Sequence, residues 1–231
     1  MEHQRISPDP LIAGFYSPAD AARLLKVAGP AKLRGWLNGY PNSASGPIID
    51  RDFKDARTVS FLDLIEMRFI EAFRGQGVSM QTLRRAAAKA RTDWGSDHPF
   101  ALSKARYLTD RRKIFAQVAQ DEGDQLTWDM ASGQHEMWDV IEATIEKGIV
   151  FDPSSGLAQR WAPFPTEFPG IGLDPTLAFG KPSLWAEQIP TAALYRMWRA
   201  EGGKIGRVAK AFGVDEAAVR SAVEYEIKTT P

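Results

Sequence analysis

Residues 16–40, YSPADAARLLKVAGPAKLRGWLNGY, leave the fold little freedom, because they encode two short amphipathic helices on either side of one tight turn. Ser17 is suited to cap the first helix, since its hydroxyl can accept an orphan amide proton of the first turn. Pro18 sits at the first helical position, where a missing N–H costs nothing. The first helix is predicted to end at Leu25, with Ala21, Ala22, Leu24 and Leu25 on its inner side, and the alanines let a second helix cross close by. Val27 fills the corner, and Gly29 and Pro30 open the second helix. There Leu33, Trp36 and Leu37 fall at i, i+3 and i+4 and must face inward, which leaves Lys32, Arg34, Gly35 and Asn38 on the exposed flanks. The pattern reads as a helix-turn-helix, and a basic outer face is what a recognition helix offers a major groove. The same residues also suit a plain αα-hairpin with a solvated basic face.

Charge is distributed unevenly along the chain. Its 231 residues carry 29 Lys+Arg and 29 Asp+Glu, yet residues 1–115 hold 19 basic against 12 acidic residues, and residues 116–231 hold 10 against 17. The first half suits a polyanion and the second does not. Composition, 44% apolar and 25% charged, is that of a folded globular chain. Cysteine is absent, which excludes disulfides and thiolate metal sites. No apolar run reaches membrane-spanning length, and MEHQRISPDP has neither the basic start nor the apolar stretch of a signal peptide, so a cytoplasmic protein with no membrane contact is expected.

Residues 41–60 are rich in turn formers around Ile48, Ile49 and Val59. They predict either a small hairpin with Arg51, Lys54 and Arg57 near its tip, the wing of a winged helix, or a surface loop. Ser60 and Asp63 form an S-x-x-D box opening a helix over 61–74 that buries Phe61, Leu64, Ile65, Phe69 and Phe73. After Gly75-Gln76-Gly77, Ser79 caps another helix over 80–92, with Leu83 inward and Arg84, Arg85, Lys89 and Arg91 outward. Between residues 100 and 163, Arg106–Leu108 and Lys113–Val118 alternate around Asp110-Arg111-Arg112 and predict a hairpin. Leu126-Thr127-Trp128 predicts a further strand, 138–147 a helix, and the runs at 149–151 and 157–161 flank a turn at 152–156. Residues 163–175, PFPTEFPGIGLDP, read as a proline-rich linker, and three helices follow, at 190–201, 205–212 and 215–226.

The expected fold is therefore mostly α with a small α+β middle. It comprises an N-terminal winged helix-turn-helix at 14–95, a central short-stranded sheet in a platform at 100–163, and a linker with a three-helix domain at 164–231. Catalytic chemistry finds no support. His3, His98 and His135 are scattered, His135-Glu136 lacks the second histidine of H-E-x-x-H, and the glycines around Lys181 and Lys204 lack the spacing of a phosphate loop. No enzyme activity, cofactor or metal site is predicted.

The order of signals over residues 14–95 resembles the DNA-binding domain of MerR-like regulators. The matching residues are Ala22, Leu25, Val27, Leu33, Arg34 and Trp36, then Arg57, Phe61, Leu64, Gly77-Val78-Ser79, Leu83 and Arg84. Gly35 departs from the larger residue usual there, and the long dimerising helix and cysteines of metal sensors are missing. Residues 168–228 resemble the DUF433 family through Asp174-Pro175, Phe179-Gly180-Lys181-Pro182, Ile189-Pro190-Thr191, Val208-Ala209, Val214, Val219, Ala222 and Tyr225, with Trp185-Ala186-Glu187 where a glycine is frequent. Together they make nearly the whole chain similar to VapB-type antitoxins of toxin-antitoxin systems. The resemblance implies a DNA-binding autorepressor that neutralises a PIN-domain ribonuclease toxin, or alternatively a MerR-like transcription factor without a toxin. Operator DNA is expected to contact Lys32, Arg34, Asn38, Arg51 and Arg57, a toxin partner Leu184, Trp185 and Trp198, and the chain is expected to act as a homodimer.

Overall fold

The protein is described by a computed structural model covering residues 13–39, 46–55, 57–133 and 135–229, with side chains described outside 104–110 and 135–137. The chain divides into two compact units. One comprises residues 17–147 and 151–158, and the other residues 13–16, 148–150 and 159–229. It is mostly helical, with two small antiparallel sheets. No helix among the described residues is long and apolar enough to cross a membrane.

The predicted pair of helices forms as its residues dictate. Pro18–Leu25 (α1) opens on a reciprocal box in which the Ser17 hydroxyl accepts from the Asp20 N–H and the Asp20 carboxylate accepts from the Ser17 N–H, each at 3.1 Å. It ends at Lys26, whose left-handed backbone (φ 55°) reverses the chain. Pro30–Asn38 (α2) buries Leu33, Trp36 and Leu37. Gly35, expected on an exposed flank, is buried as well. Val27 and Leu25 are only half-buried, so Ala21, Ala22 and Leu24 carry the inner side of α1.

Phe61–Gly75 (α3) starts at the predicted Ser60–Asp63 box, and Met80–Trp94 (α4) at Ser79. Phe69 of α3 stacks on Phe73 at 4.4 Å and on Phe100 at 4.3 Å, in the 3-10 turn Pro99–Ala101. This aromatic stack recruits the rest of the unit.

The hairpin predicted around residue 110 does not form, because Lys104–Glu122 (α5) is one continuous helix. Arg111, Ile114, Phe115, Val118 and Ala119 are all buried, a helical period that the apparent alternation at 113–118 concealed. Phe115 lies 5.4 Å from Phe73, and burying that ring outweighs the local strand preference of its neighbours. The strand expected at Leu126–Trp128 is likewise the helix Gln125–Ser132 (α6), because Asp124 caps it by accepting from the Thr127 N–H at 3.1 Å. His135–Glu146 (α7) brings Trp138 to 4.8 Å from Phe73. Arg68 of α3 donates to the carbonyls of Ile145 at 2.6 Å and Thr144 at 2.8 Å at the end of α7, and burial lowers its pKa to about 10. Residues 95–100 are thus no boundary between compact units, since α4 and α5 pack together.

Ile149–Phe151 (β1) and Ala158–Trp161 (β2) pair as a two-stranded sheet, the short-stranded part of the α+β middle. In the second unit Ile171–Gly172 (β3), Ser183–Leu184 (β4) and Ile189–Pro190 (β5) form an antiparallel sheet in that order, with Ile171 opposite Leu184 and Leu184 opposite Ile189. Thr191–Ala200 (α8), Ile205–Phe212 (α9) and Glu216–Thr229 (α10) are the three predicted helices. The stretch read as a linker is core: Phe164, Phe168, Ile171 and Leu173 are buried, and Phe168 meets the Tyr225 ring at 5.4 Å. Its prolines fix backbone angles while the residues between them fill space. Residues 13–16 belong to this unit, where the Tyr16 hydroxyl donates to the Gly180 carbonyl at 2.7 Å. Gly180 is required there, because its φ is 81° and a Cβ would lie 2.3 Å from that hydroxyl.

Candidate nucleic-acid interface

The outer face of α2 is built by its inner one. Trp36, Leu33 and Leu37 anchor the helix, so the side chains between them must turn to solvent. Lys32 is exposed but engaged: its ammonium pairs with Glu71 of α3 at 2.7 Å and lies 5.4 Å from the centre of the Trp36 ring. Arg34 is exposed and makes no hydrogen bond or ion pair among the described residues. Asn38 is exposed, and its side-chain oxygen accepts from Arg51 at 2.7 Å.

Arg51 therefore does not reach outward as a wing residue. Its guanidinium also donates to the Thr58 carbonyl at 2.7 Å and to the Asp55 carbonyl, closing a loop on itself. Inside that loop the Asp55 carboxylate accepts from the backbone N–H of Arg57 at 2.8 Å and of Thr58 at 2.7 Å, and those bonds hold its carboxyl below the ordinary value. Lys54 and Arg57 are exposed with no side-chain partner among the described residues. Within the described part of residues 46–60 Val59 forms an isolated β-bridge and no longer strand is present, and residues 41–45, the first arm of the expected wing hairpin, lie outside the described residues.

Basic residues of α4, expected to point outward, are largely committed. Arg84 donates to the Gly46 carbonyl at 2.9 Å and Arg91 to the Ile48 carbonyl at 2.5 Å, so they hold the loop after α2 against α4. Arg85 pairs with Glu122, and Lys89 with Asp93 at 3.1 Å. Of the five residues expected at DNA, Arg34 and Arg57 keep free cationic groups, while Lys32, Asn38 and Arg51 work within the fold.

The same unit holds a buried cluster that sequence reasoning missed. His98 is buried, with Nε2 at 2.9 Å from an Asp52 oxygen and Nδ1 at 3.4 Å from a Glu66 oxygen. Burial works against the imidazolium, but the bonds to Asp52 and Glu66 outweigh it and raise the His98 pKa well above its ordinary value. Burial likewise opposes ionisation of Asp52, and His98 more than compensates, so that carboxyl is lowered. Asp63 is pushed up to about 6 by burial, against the pull of His98. Ligand atoms of Asp52, Asp63 and His98 all lie within 4.8 Å of one another. A signal was present: the spacing places Asp63 and Glu66 on one helix face with Met67, Ile70 and Phe73, all buried in the fold, and acidic groups on an apolar face require partners.

In the second unit the three residues expected at a protein partner differ in burial. Leu184 is in the core between Ile171 and Ile189, so it is not presented at the surface. Trp185 is half-buried over Gly172, where a Cβ would lie 2.2 Å from the indole ring. Trp198 is half-buried, stacked on Tyr195 at 5.7 Å and packed against the core.

The chain is similar to the X-ray crystal structure of Rv2018 from Mycobacterium tuberculosis, with a TM-score of 0.64 and 25% sequence identity over 93% of this chain and 97% of that one. No protein-family model and no curated protein matches it. The likeness covers residues of both units, and it concerns architecture: a mostly helical chain with two small antiparallel sheets.

Proposed function

We propose that this chain is an antitoxin and DNA-binding autorepressor, whose first unit binds operator DNA as a homodimer and whose second unit neutralises a PIN-domain ribonuclease. The observation that carries the DNA reading is Arg34, an unpaired guanidinium on the outer face of a capped, tightly anchored helix pair. An unpaired cation there costs nothing to a solvated fold and is available to a phosphate or a guanine edge. Exposed Lys54 and Arg57 add two further free cations on the segment after α2. The ribonuclease reading rests on the resemblance of residues 168–228 to DUF433 and on the acidic balance of residues 116–231. A homodimer suits the first unit, because one helix-turn-helix reads too few bases for tight specific binding and paired half-sites supply the rest.

The test is fluorescence anisotropy on DNA from upstream of this gene over a range of salt, with co-expression and pull-down of the product of the adjacent reading frame. Binding to the upstream DNA that falls steeply with salt and weakens in Arg34→Ala supports the DNA part. Equal affinity for unrelated DNA, with no effect of Arg34→Ala, removes it.

A further inference from the structure

The buried cluster at His98 has the composition and layout of a coordination site. Glu66 occupies Nδ1 of the imidazole at 3.4 Å, and its other oxygen accepts from the Phe100 N–H at 3.2 Å, so this carboxylate is itself held in place. A ring N–H given to a fixed carboxylate is the arrangement that orients metal-binding histidines and makes the other nitrogen a better donor. That other nitrogen, Nε2, faces Asp52 at 2.9 Å. Asp63 supplies the independent observation. It is fully buried, one of its oxygens accepts from the Ser60 N–H at 3.1 Å, and the other, Oδ1, has no hydrogen-bond partner. A buried carboxylate oxygen without a donor is an unmet demand for positive charge.

We propose that Asp52, Asp63 and His98 bind one divalent transition-metal cation of the zinc class. Their ligand atoms lie within 4.8 Å of one another, a spread that a cation bonded at about 2.0–2.2 Å to nitrogen and oxygen can bridge with small side-chain movements. The donor set selects the class. Calcium and magnesium take six or more oxygen ligands, whereas one imidazole and two carboxylates suit zinc with a fourth position for water. Three carboxylates around one imidazole also carry more negative charge than a single imidazolium balances. On binding, Nε2 gives up the proton it shares with Asp52 and donates its lone pair to the cation, so one proton enters solution while Nδ1–H stays on Glu66. Asp52 lies on the segment between α2 and α3, Asp63 in the first turn of α3, and His98 directly before the 3-10 turn. The cation therefore ties three segments of the first unit.

The full-length protein, in an H3Q/H135Q background that leaves His98 as its only histidine, is dialysed against EDTA and titrated with zinc chloride by calorimetry. The expected result is one zinc per chain with a dissociation constant below about 1 μM, proton release that scales with buffer ionisation enthalpy, and a raised melting temperature. Asp63→Asn keeps the shape of the side chain and weakens zinc binding at least about tenfold. Asp52→Asn, at a partly exposed loop position, does the same and serves where Asp63→Asn fails to fold. Zinc binding no stronger than in His98→Gln, or undiminished in both folded carboxylate variants, overturns the proposal and leaves the cluster as an imidazolium held by acids.

Discussion

The Arg51 guanidinium donates to the side-chain oxygen of Asn38 at 2.7 Å, joining the last turn of α2 to the segment that follows it. Two residues that sequence alone would send separately to DNA are each other's partners. With its oxygen taken, Asn38 has amide donors to offer outward, in an orientation that Arg51 fixes. The last turn of α2 and the conformation of residues 51–58 are thereby coupled.

Arg51→Ala is expected to lower stability by about 1–3 kcal/mol, the range for hydrogen bonds to a charged group at a partly buried site. Arg51→Lys keeps the charge but not the fork that reaches Asn38, Asp55 and Thr58 together, so it should not restore the melting temperature. If Arg51 acted only as a phosphate contact, lysine would retain most DNA affinity and Arg51→Ala would melt like the parent protein.

Arg34→Ala should leave stability within about 0.5 kcal/mol of the parent, since it removes no contact within the fold. In DNA titrations it should reduce the slope of log affinity against log salt by about 1. Lys32→Ala, by contrast, should cost about 0–1 kcal/mol of stability, because its exposed pair with Glu71 is screened by solvent. A salt slope that responds to Lys32 and ignores Arg34 would reverse this assignment.

The helix pair α1 and α2, the cap at Ser17, the capping box at Ser60 and the last three helices were legible because each is specified locally, by a cap, a period and a stop. What was illegible depends on distant partners. Arg111 and Asp110 looked like hairpin-turn residues because nothing near Arg111 in sequence announces Glu142, and the helix period at 111–119 is interrupted by charged neighbours. The stretch 163–175 looked like a linker because its prolines are local signals, whereas the Tyr225 that Phe164 and Phe168 meet lies far along the chain. The fate of the basic residues was hidden for the same reason. Arg84 and Arg91 face outward from α4, as their period requires, yet the loop after α2 folds back over them. His98 was dismissed for lack of histidine neighbours, although the acids beside it come from segments that only the fold assembles.

Arg111 and Glu142 form a fully buried pair at 2.8 Å, with Arg111 also donating to the Leu102 carbonyl at 2.8 Å and lying over the Phe69 ring. Burial raises the Glu142 pKa despite Arg111, so removing the arginine strands an acid in an apolar site. Arg111→Met should cost about 3–5 kcal/mol in chemical denaturation, while Arg111→Met with Glu142→Leu should recover most of it. Equal losses in the single and double variants would show that the pair is not the unit of stability.

Asp124 gives the first unit an acid-sensitive joint. Burial pushes its carboxyl up, but bonds from the Thr82 hydroxyl at 2.6 Å, the Thr127 N–H and hydroxyl, and the Ser79 N–H outweigh this and hold it below the ordinary carboxylate value. A depressed folded value means that the stabilisation is complete above the unfolded pKa and is lost as pH falls through the folded one. Asp124→Ala should therefore cost about 1–2 kcal/mol near neutral pH and progressively less below pH of about 4. A loss that stayed constant down to pH 2 would assign the effect to packing and not to the ionised cap.

The proposed contact with a ribonuclease is best examined at single side chains, because removing residues 164–231 would strip Tyr16 and Trp161, which belong to the same unit, of their partners Gly180 and Leu173. Leu184→Ala should cost about 2–5 kcal/mol and act only by destabilising the second unit, since the side chain is buried between strands. Trp185 and Trp198 are each half-exposed and can serve an interface with the faces they do not bury. An acidic second half steers a basic partner, so added salt should lower chiefly the association rate constant, whereas loss of an apolar anchor should raise the dissociation rate constant. Both tryptophans also pack within the fold, Trp185 over Gly172 and Trp198 on Tyr195, so kinetics must be read beside melting curves. The anchor is the tryptophan whose alanine variant speeds dissociation of the adjacent gene's product by more than its melting shift explains. If neither variant changes dissociation while both remain folded, the ribonuclease, should it bind, is held by another surface of this chain.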